Sequence, residues 1–207
     1  MANLTPPTAF CGPLQSGLVL ISTTAKSASS AFNNKQIVSS PLSEFFQAEL
    51  TLPSRKDGGW RDTSAFLMQL RGGLNKCRLY DPYRPLRGAG GIASTVNLDA
   101  PAVAGATEIT LKNMLPSEVT SLAADDMFGI GENLYLVTAA VGSDVDGKCT
   151  VSFLPPLRQA VAEGDAVNLD KPTGLFMLTS GLEGLSASHS GFSSQLALKF
   201  MEDPDFD

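Results

Sequence analysis

Histidine is the side chain that most often carries protons in enzymes, and this 207-residue chain contains one, His189. It lies among serines in the segment Ser186 to Gly191, so a serine activated by histidine is the first chemistry to weigh. That mechanism also needs a group that orients the imidazole and donors that stabilise an oxyanion, and closeness in sequence supplies neither. We therefore interpret His189 as a loop or interface residue.

A glycine-rich stretch from Gly88 to Ala93 matches a relaxed form of the fingerprint that binds dinucleotides. The fingerprint binds a pyrophosphate only where a strand leads into it and a helix begins directly after it. Here Pro82 and Pro85 precede the glycines, and the segment from Ser94 to Pro101 shows no helical periodicity. We predict a flexible connection between two parts of the chain instead of a nucleotide site.

Part of a calcium-loop pattern lies between Gly142 and Phe153, where Asp144, Asp146 and Gly147 stand at suitable spacings. Such a loop needs a carboxylate at its first position and a bidentate glutamate at its twelfth, and this chain has Gly142 and Phe153 there. The segment is flanked by alternating apolar residues, so we predict a turn between two strands.

The remaining reactive side chains form no recognisable constellation. Cys11, Cys77 and Cys149 lie far apart and fit neither a disulfide framework nor zinc spacing, so we expect isolated reduced thiols. The carboxylates are scattered, and no acid–base pair can be nominated from them. We predict that the chain is not an enzyme and has no catalytic, cofactor-binding or metal-binding residue.

The composition indicates a folded, acidic protein. Hydrophobic residues make up 43% of the chain and charged residues 17%, which leaves enough apolar surface to bury a core. No apolar stretch approaches the roughly 20 residues that cross a bilayer, and Met1 to Phe10 lacks a signal-peptide layout, so we expect a soluble protein made in a cytoplasm. A net charge of −6 without a basic run argues against specific nucleic-acid binding.

Alternating apolar residues predict strands near both ends of the chain, at Phe46 to Leu52 and at Leu196 to Phe200. The continuous apolar run Leu175 to Thr179 suits a strand covered on both faces. One helix is predicted, from Ser64 to Arg71, with Asp62 or Thr63 as its cap. Its apolar face and its glycine stop are formed by Phe66, Leu67, Leu70, Gly72 and Gly73.

Between Ala93 and Asp170 the sequence changes to short alternating segments separated by glycine and aspartate turns, which predicts a small barrel or sandwich. The strands predicted after Pro172 are similar to those before Arg87, so we predict one discontinuous β-domain, residues 1–92 and 171–207, interrupted by an inserted β-domain at 93–170. The predicted fold class is mainly β: a sandwich- or barrel-like domain with one short α-helix, and a small barrel-like insert.

The order of these segments resembles one family. A strand ending at Pro53 is followed by Trp60, a short helix ending at Gly73, and the segment Cys77 to Pro85. The insert then contains Gly105 to Leu111, Tyr135 to Thr138, Asp146-Gly147 and Phe153 to Arg158. This order, over roughly residues 40 to 202, resembles the distal tail proteins and related small tail or baseplate proteins of long-tailed, siphovirus-like bacteriophages and prophages.

The resemblance implies a virion structural protein whose discontinuous domain closes a homohexameric ring at the tail tip, with the insert pointing outward. The implied partners are the tail-tube protein on one side and the tail-tip hub or fibre proteins on the other, with no membrane involved. DNA would pass through the lumen without specific binding, and acidic lumen residues would repel its phosphates. The insert is short and lacks an evident sugar-binding surface, so we do not expect this chain itself to bind the receptor.

Other interpretations stay open. Within the same class, the chain could be a tail-tube or tail-terminator subunit. A glycan-binding β-module is an alternative from another class, although Trp60 is the single tryptophan and there are three tyrosines. A hydrolase comes last, because no catalytic constellation supports it.

Overall fold

The computed structural model describes residues 3–6, 15–22, 26–29, 36–39, 44–52, 59–81, 92–180 and 196–203. Within these ranges the chain is mainly β, with one α-helix, as the sequence predicts. The elements in chain order are β1 (Asn3–Leu4), β2 (Gln15–Ser22), β3 (Lys26–Ser29), β4 (Gln36–Ser39), β5 (Glu44–Leu52), α1 (Gly59–Gln69), β6 (Lys76–Leu79), β7 (Ile92–Leu98), β8 (Glu108–Met114), β9 (Met127–Ile130), β10 (Asn133–Val137), β11 (Cys149–Leu154), β12 (Ala166–Asn168), β13 (Gly174–Ser180) and β14 (Leu196–Glu202).

An open six-stranded sheet is built from strands on both sides of the 92–168 region, in the order β1-β6-β13-β14-β5-β2. β1 runs parallel to β6, and the other neighbours are antiparallel. The predicted alternation is confirmed, because Phe46, Ala48, Leu50 and Leu52 are buried opposite the buried residues of β14. A separate hairpin pairs β3 with β4.

β13 meets the prediction of a doubly covered strand over most of its length. Leu175, Phe176 and Leu178 are buried and Met177 is half-buried, so both faces are covered there. The prediction is wrong at Thr179, which is exposed next to an irregularity in the pairing with β14.

The helix exists, but its predicted start is wrong. α1 begins at Gly59 instead of Ser64, so Asp62 lies in its first turn and Thr63 inside it, and neither precedes it as a cap. An acidic side chain in the first turn stabilises the positive end of the helix dipole. Asp62 is therefore favourable within the first turn as well as at the cap position that the sequence predicted for it. The glycine stop is confirmed: after α1 a 3₁₀ turn contains Gly72 with a φ of 63°, a left-handed conformation that glycine adopts without strain.

The apolar face of α1 packs on the sheet as predicted. Phe66, Leu67 and Leu70 are buried and belong to the same core cluster as the apolar residues of β5, β13 and β14. This contact stabilises an eleven-residue helix that would be marginal in isolation.

A closed six-stranded barrel occupies residues 92–168, in the order β10-β11-β8-β7-β12-β9. Its core contains Phe128, Tyr135 and Phe153, whose ring centroids lie 5.2 to 5.4 Å apart. The predicted fold class is therefore confirmed as mainly β with a closed barrel and a second sheet. A two-residue loop, Gly131-Glu132, joins β9 to β10 as a hairpin in which Asn133 pairs with Ile130.

The barrel and the sheet share apolar contacts. Met127 and Leu134 are barrel residues that belong to the core cluster of the sheet, and Leu136 packs against that cluster. A Cβ atom added to Gly174 would lie 3.0 Å from the Leu134 side chain, so β13 approaches β10 closely. The independence of residues 93–170 as a folding unit stays a prediction.

Candidate functional site

The residues that the sequence singled out for chemistry do not converge on one place. His189, Cys11 and Gly88 to Gly91 lie outside the described residues. After the glycines the chain continues as the strand β7, where a dinucleotide site would require a helix. The chain therefore has a strand where the N-terminus of a helix would bind the pyrophosphate of a dinucleotide. This agrees with the sequence analysis, which predicted a connection instead of a nucleotide site.

The segment Asp144 to Gly147 forms the predicted turn. The Oδ1 atom of Asp144 accepts hydrogen bonds from the backbone amides of Asp146 at 2.9 Å and Lys148 at 2.8 Å. Gly147 has a φ of 71° and donates its amide to the Asp144 carbonyl at 3.1 Å. The Asp144 carboxylate thus stabilises the turn, and no group of three acidic, histidine or cysteine side chains within the described ranges could hold a metal ion.

The two described thiols are free and buried, as the sequence predicts. Burial raises the pKa of Cys77 to about 12, and burial together with the charge of Asp144 raises the pKa of Cys149 to about 11. Both side chains are therefore neutral and poorly nucleophilic at neutral pH, and they serve as small apolar core residues.

The most elaborate polar arrangement in the described part of the chain lies where the barrel meets the sheet. A cleft of about 990 Å³ opens there, between the β9–β10 hairpin and residues 159–166 of the barrel and β1, β6 and β13 of the sheet. Its lining is largely polar and includes Lys76, Glu132, Asn133, Asp165 and Asp203.

A buried ion pair joins the two parts behind this cleft. Arg158, in the segment that follows β11 of the barrel, donates from Nη2 to Glu202 Oε2 of β14 at 2.6 Å. The Glu202 side chain is 1% exposed and the Arg158 side chain 11%. The same guanidinium donates to the backbone carbonyl of Glu44 at 3.1 Å, and the Phe46 amide donates to Glu202 Oε2 at 2.9 Å. Arg158 therefore ties one barrel segment to two neighbouring strands of the sheet.

Arg158 also connects to the barrel core through its backbone, which hydrogen-bonds Tyr135. Burial raises the pKa of Tyr135 above its ordinary value, and this hydrogen bond lowers it in part. Because the Tyr135 ring packs against Phe128 and Phe153, the charged contact to the sheet is continuous with the aromatic core of the barrel.

Two further ion pairs lie at the cleft. Arg78 on β6 pairs with Glu132 in the β9–β10 hairpin, and Asn3 of β1 lies 3.5 Å from the same carboxylate. Lys76 on β6 pairs with Asp203 just after β14. Arg78 and Asn3 thus add a second polar connection between sheet and barrel, and it is more exposed than the pair formed by Arg158.

Ion pairs of this arrangement link the barrel to the sheet, through Arg158 with Glu202 and through Arg78 with Glu132. The three cations Lys76, Arg78 and Arg158 each pair with a carboxylate, and the two described thiols are kept neutral by their raised pKa values. Two buried acceptors of this arrangement have no hydrogen-bond partner: Glu202 Oε1 at the ion pair, and Oδ1 of Asn133, a cleft residue that is 7% exposed.

The sequence reasoning missed the ion pairs at the junction, although one signal was present. Buried positions of β14 alternate as Leu196, Leu198 and Phe200, and Glu202 continues that period. A carboxylate at a buried position requires a cationic partner, which turns out to be Arg158. Arg158 itself follows two prolines and a leucine, with no local pattern that marks it.

No protein-family model matches the chain, and no curated protein sequence matches it. The described residues contain no helix with the length and hydropathy that crossing a membrane requires.

Proposed function

We propose that this chain is a non-enzymatic structural subunit that forms a ring, most simply of six copies, at the tail tip of a long-tailed bacteriophage or prophage. The ring would lie between the tail tube and the hub or fibre proteins. The order of segments from Ala48 to Pro85 and through the insert supports the family, because it resembles distal tail proteins.

The structural observation that carries the proposal is an open sheet joined to a closed barrel by apolar contacts and ion pairs. β2 pairs with β5 over all eight of its residues and forms one end of the sheet among the described strands. A long edge strand has unpaired backbone amides and carbonyls that can hydrogen-bond to a strand of another chain. A closed barrel offers no such edge, so any contact that the barrel makes with a neighbouring chain is through side chains and loops.

The acidity of the chain supports the same role. Each subunit contributes a net charge of −6, and acidic groups that face a bore repel the phosphates of passing DNA instead of retaining them. A DNA-binding protein would need the opposite charge.

The decisive test is to locate the chain in the virions that carry it, by electron microscopy with a label on this protein. A single ring at the tail tip supports the proposal. A label spread along the tube identifies a tail-tube subunit, and a label at the head-proximal end of the tail identifies a terminator. A capsid location or a solitary central copy overturns the proposal.

A glycan-binding module is the second candidate, because one specific observation favours it. The polar cleft offers carboxylate and amide groups, as sugar-binding sites do, and Asn133, whose Oδ1 atom has no hydrogen-bond partner, lines it. The full chain would be applied to a glycan array beside the Asn133→Ala variant. Binding that Asn133→Ala abolishes supports this candidate, and the absence of binding by the unaltered chain removes it.

A further inference from the structure

Few large apolar side chains are exposed among the described residues, and most of them fall into two groups. They are Met68 (62% exposed), Leu74 (52%), Val103 (73%), Val119 (92%) and Val145 (79%). Single exposed apolar residues are ordinary on protein surfaces, but neighbouring ones that stand out from a polar surface mark contacts with other proteins.

The first group lies at one end of the barrel and is termed the tip patch: Glu118, Val119, Val145 and Asp146. Its residues belong to the β8–β9 and β10–β11 loops, which emerge at the same end because β8, β11, β10 and β9 are successively antiparallel. The two loops are hydrogen-bonded to each other, since Ser117 donates its amide to the Asp144 carbonyl at 2.8 Å and Ser143 donates its amide to the Glu118 carbonyl at 3.0 Å.

The two loops of the tip patch are closely packed and hydrogen-bonded. A Cβ atom at Gly142 would lie 2.5 Å from the Glu118 carbonyl oxygen and 2.7 Å from that of Val119, so the loops approach as closely as a glycine allows. The Ser143 hydroxyl adds bonds to the Glu118 amide and to the Leu115 carbonyl. A surface that is already ordered loses little entropy when it binds, and this favours its use as a contact.

The second group lies on α1 and the turn after it and is termed the helix patch: Arg61, Met68, Arg71 and Leu74, all exposed. Arg61 and Met68 are seven residues apart on α1 and share one face, opposite the buried Phe66 and Leu70. The patch is basic, with Asp62 as the exposed acidic residue of the same segment.

The two patches complement each other in charge and in character. Glu118 and Asp146 are acidic and flank exposed valines, whereas Arg61 and Arg71 are basic and flank Met68 and Leu74. Lys148, the nearest basic residue to the tip, is engaged by Asp99 at 2.8 Å. Glu118 is half-buried and the other residues of both patches are exposed within a single chain, so the patches do not cover each other there.

We propose that the tip patch of one copy docks on the helix patch of a second copy. A contact between two different surfaces of the same chain is heterologous, and repetition of such a contact about an axis closes a ring. This inference rests on the proposed function, since it names the surfaces through which neighbouring subunits of the ring meet.

A disulfide trap tests the contact even when association is weak. In a Cys11→Ser background, chains that carry Val119→Cys are mixed with chains that carry Met68→Cys and are oxidised gently. The buried Cys77 and Cys149 thiols, with their raised pKa values, remain unreactive. Cross-linked heterodimers are expected from this mixture. They are not expected when Val103→Cys replaces Val119→Cys, because Val103 is also solvent-exposed but lies at the opposite end of the barrel.

Charge reversal provides an independent readout by sedimentation of the full chain over a concentration series. Arg61→Glu and Asp146→Lys are each expected to raise the dissociation constant at least about tenfold, and the double variant to recover most of the loss. Val119→Asp should weaken association similarly, with Val103→Asp as the neutral control.

The outcomes separate the contact from the function. The contact is wrong if the unaltered chain assembles but the Val119→Cys and Met68→Cys chains do not cross-link and the substitutions do not weaken assembly. That result does not contradict the proposed ring. A chain that stays monomeric at all concentrations and gives no trap overturns the contact and also counts against the ring. A trap of equal yield with Val103→Cys shows random collision and likewise overturns the contact.

Discussion

The buried ion pair at the junction predicts a large and specific stability loss when its cation is removed. Arg158→Met keeps much of the length of the side chain but leaves the Glu202 carboxylate, 1% exposed, without its counter-charge. Removal of one partner of a buried pair costs about 3 to 5 kcal/mol, because no opposite charge then offsets the desolvation of the remaining one. We expect this loss in the free energy of unfolding at neutral pH.

Urea denaturation measures the effect directly. With a denaturant slope of about 2 to 3 kcal/mol per molar, the midpoint should fall by about 1 to 2.5 M. The matched control is Lys199→Met on the same strand, whose pair with Glu49 at 2.7 Å is exposed by 49% and 62%. Exposed pairs contribute under about 1 kcal/mol, so this variant should shift the midpoint only slightly.

A second variant distinguishes an uncompensated charge from lost packing. Arg158→Met combined with Glu202→Gln leaves no buried charge at this pair, and the amide oxygen of the introduced glutamine can still accept the bond that the Phe46 amide donates to Glu202. Most of the lost stability should therefore return. If Arg158→Met is as mild as Lys199→Met, or if the double variant is no better than the single one, the electrostatic explanation of the junction is wrong.

Buried or strained positions give three further tests. Phe66→Ala should cost about 3 to 5 kcal/mol in thermal or urea unfolding because the ring is 5% exposed, whereas Gln69→Ala on the exposed face should be nearly silent. Gly147→Ala should lower the free energy of unfolding by about 2 to 4 kcal/mol, because Gly147 has a φ of 71° and an added Cβ would lie 2.4 Å from a carbonyl oxygen of β8. Gly131→Ala should lower it by about 1 kcal/mol, because Gly131 has a φ of 61° but open space around it. Burial raises the pKa of Cys77 from 9.0 to about 12, so the folded state holds its proton where the unfolded state loses it. The free energy of unfolding should therefore decline as pH rises above about 9. Urea midpoints measured between about pH 8 and pH 10.5 should decline less steeply for Cys77→Ala than for the unaltered chain, and equal slopes would contradict this prediction.

Local patterns in the sequence predicted individual strands better than their pairing. The period of two along β5 and β14 is a property of neighbouring residues, and it correctly identified which side chains are buried. The pairing of β6 with β13, which places Lys76 opposite Met177, joins residues far apart in sequence. No local signal specifies such a partner, because the choice depends on the packing of the whole sheet.

The start of the helix illustrates a different limit. Asp62 is favourable both as a cap and within the first turn, so its presence locates the helix without fixing where it begins. The junction shows a third limit. Glu202 carried a readable signal, but its partner Arg158 lies in an irregular segment whose position depends on how the barrel meets the sheet.

Rigid attachment of the barrel is what a ring built from tip and helix patches would require. Closure after a set number of copies demands a fixed rotation between the two contacting surfaces of each subunit, because a variable angle gives open or mixed assemblies. The tip patch belongs to the barrel and the helix patch belongs to α1, which packs on the sheet. The angle between them therefore depends on the junction, where Arg158 joins Glu202 and Leu134 enters the core of the sheet. Arg158→Met should thus broaden the size distribution of assemblies in sedimentation under conditions where the variant remains folded, whereas Lys199→Met should leave it unchanged. An unaltered distribution for a folded Arg158→Met chain would mean that the junction does not set the geometry of assembly.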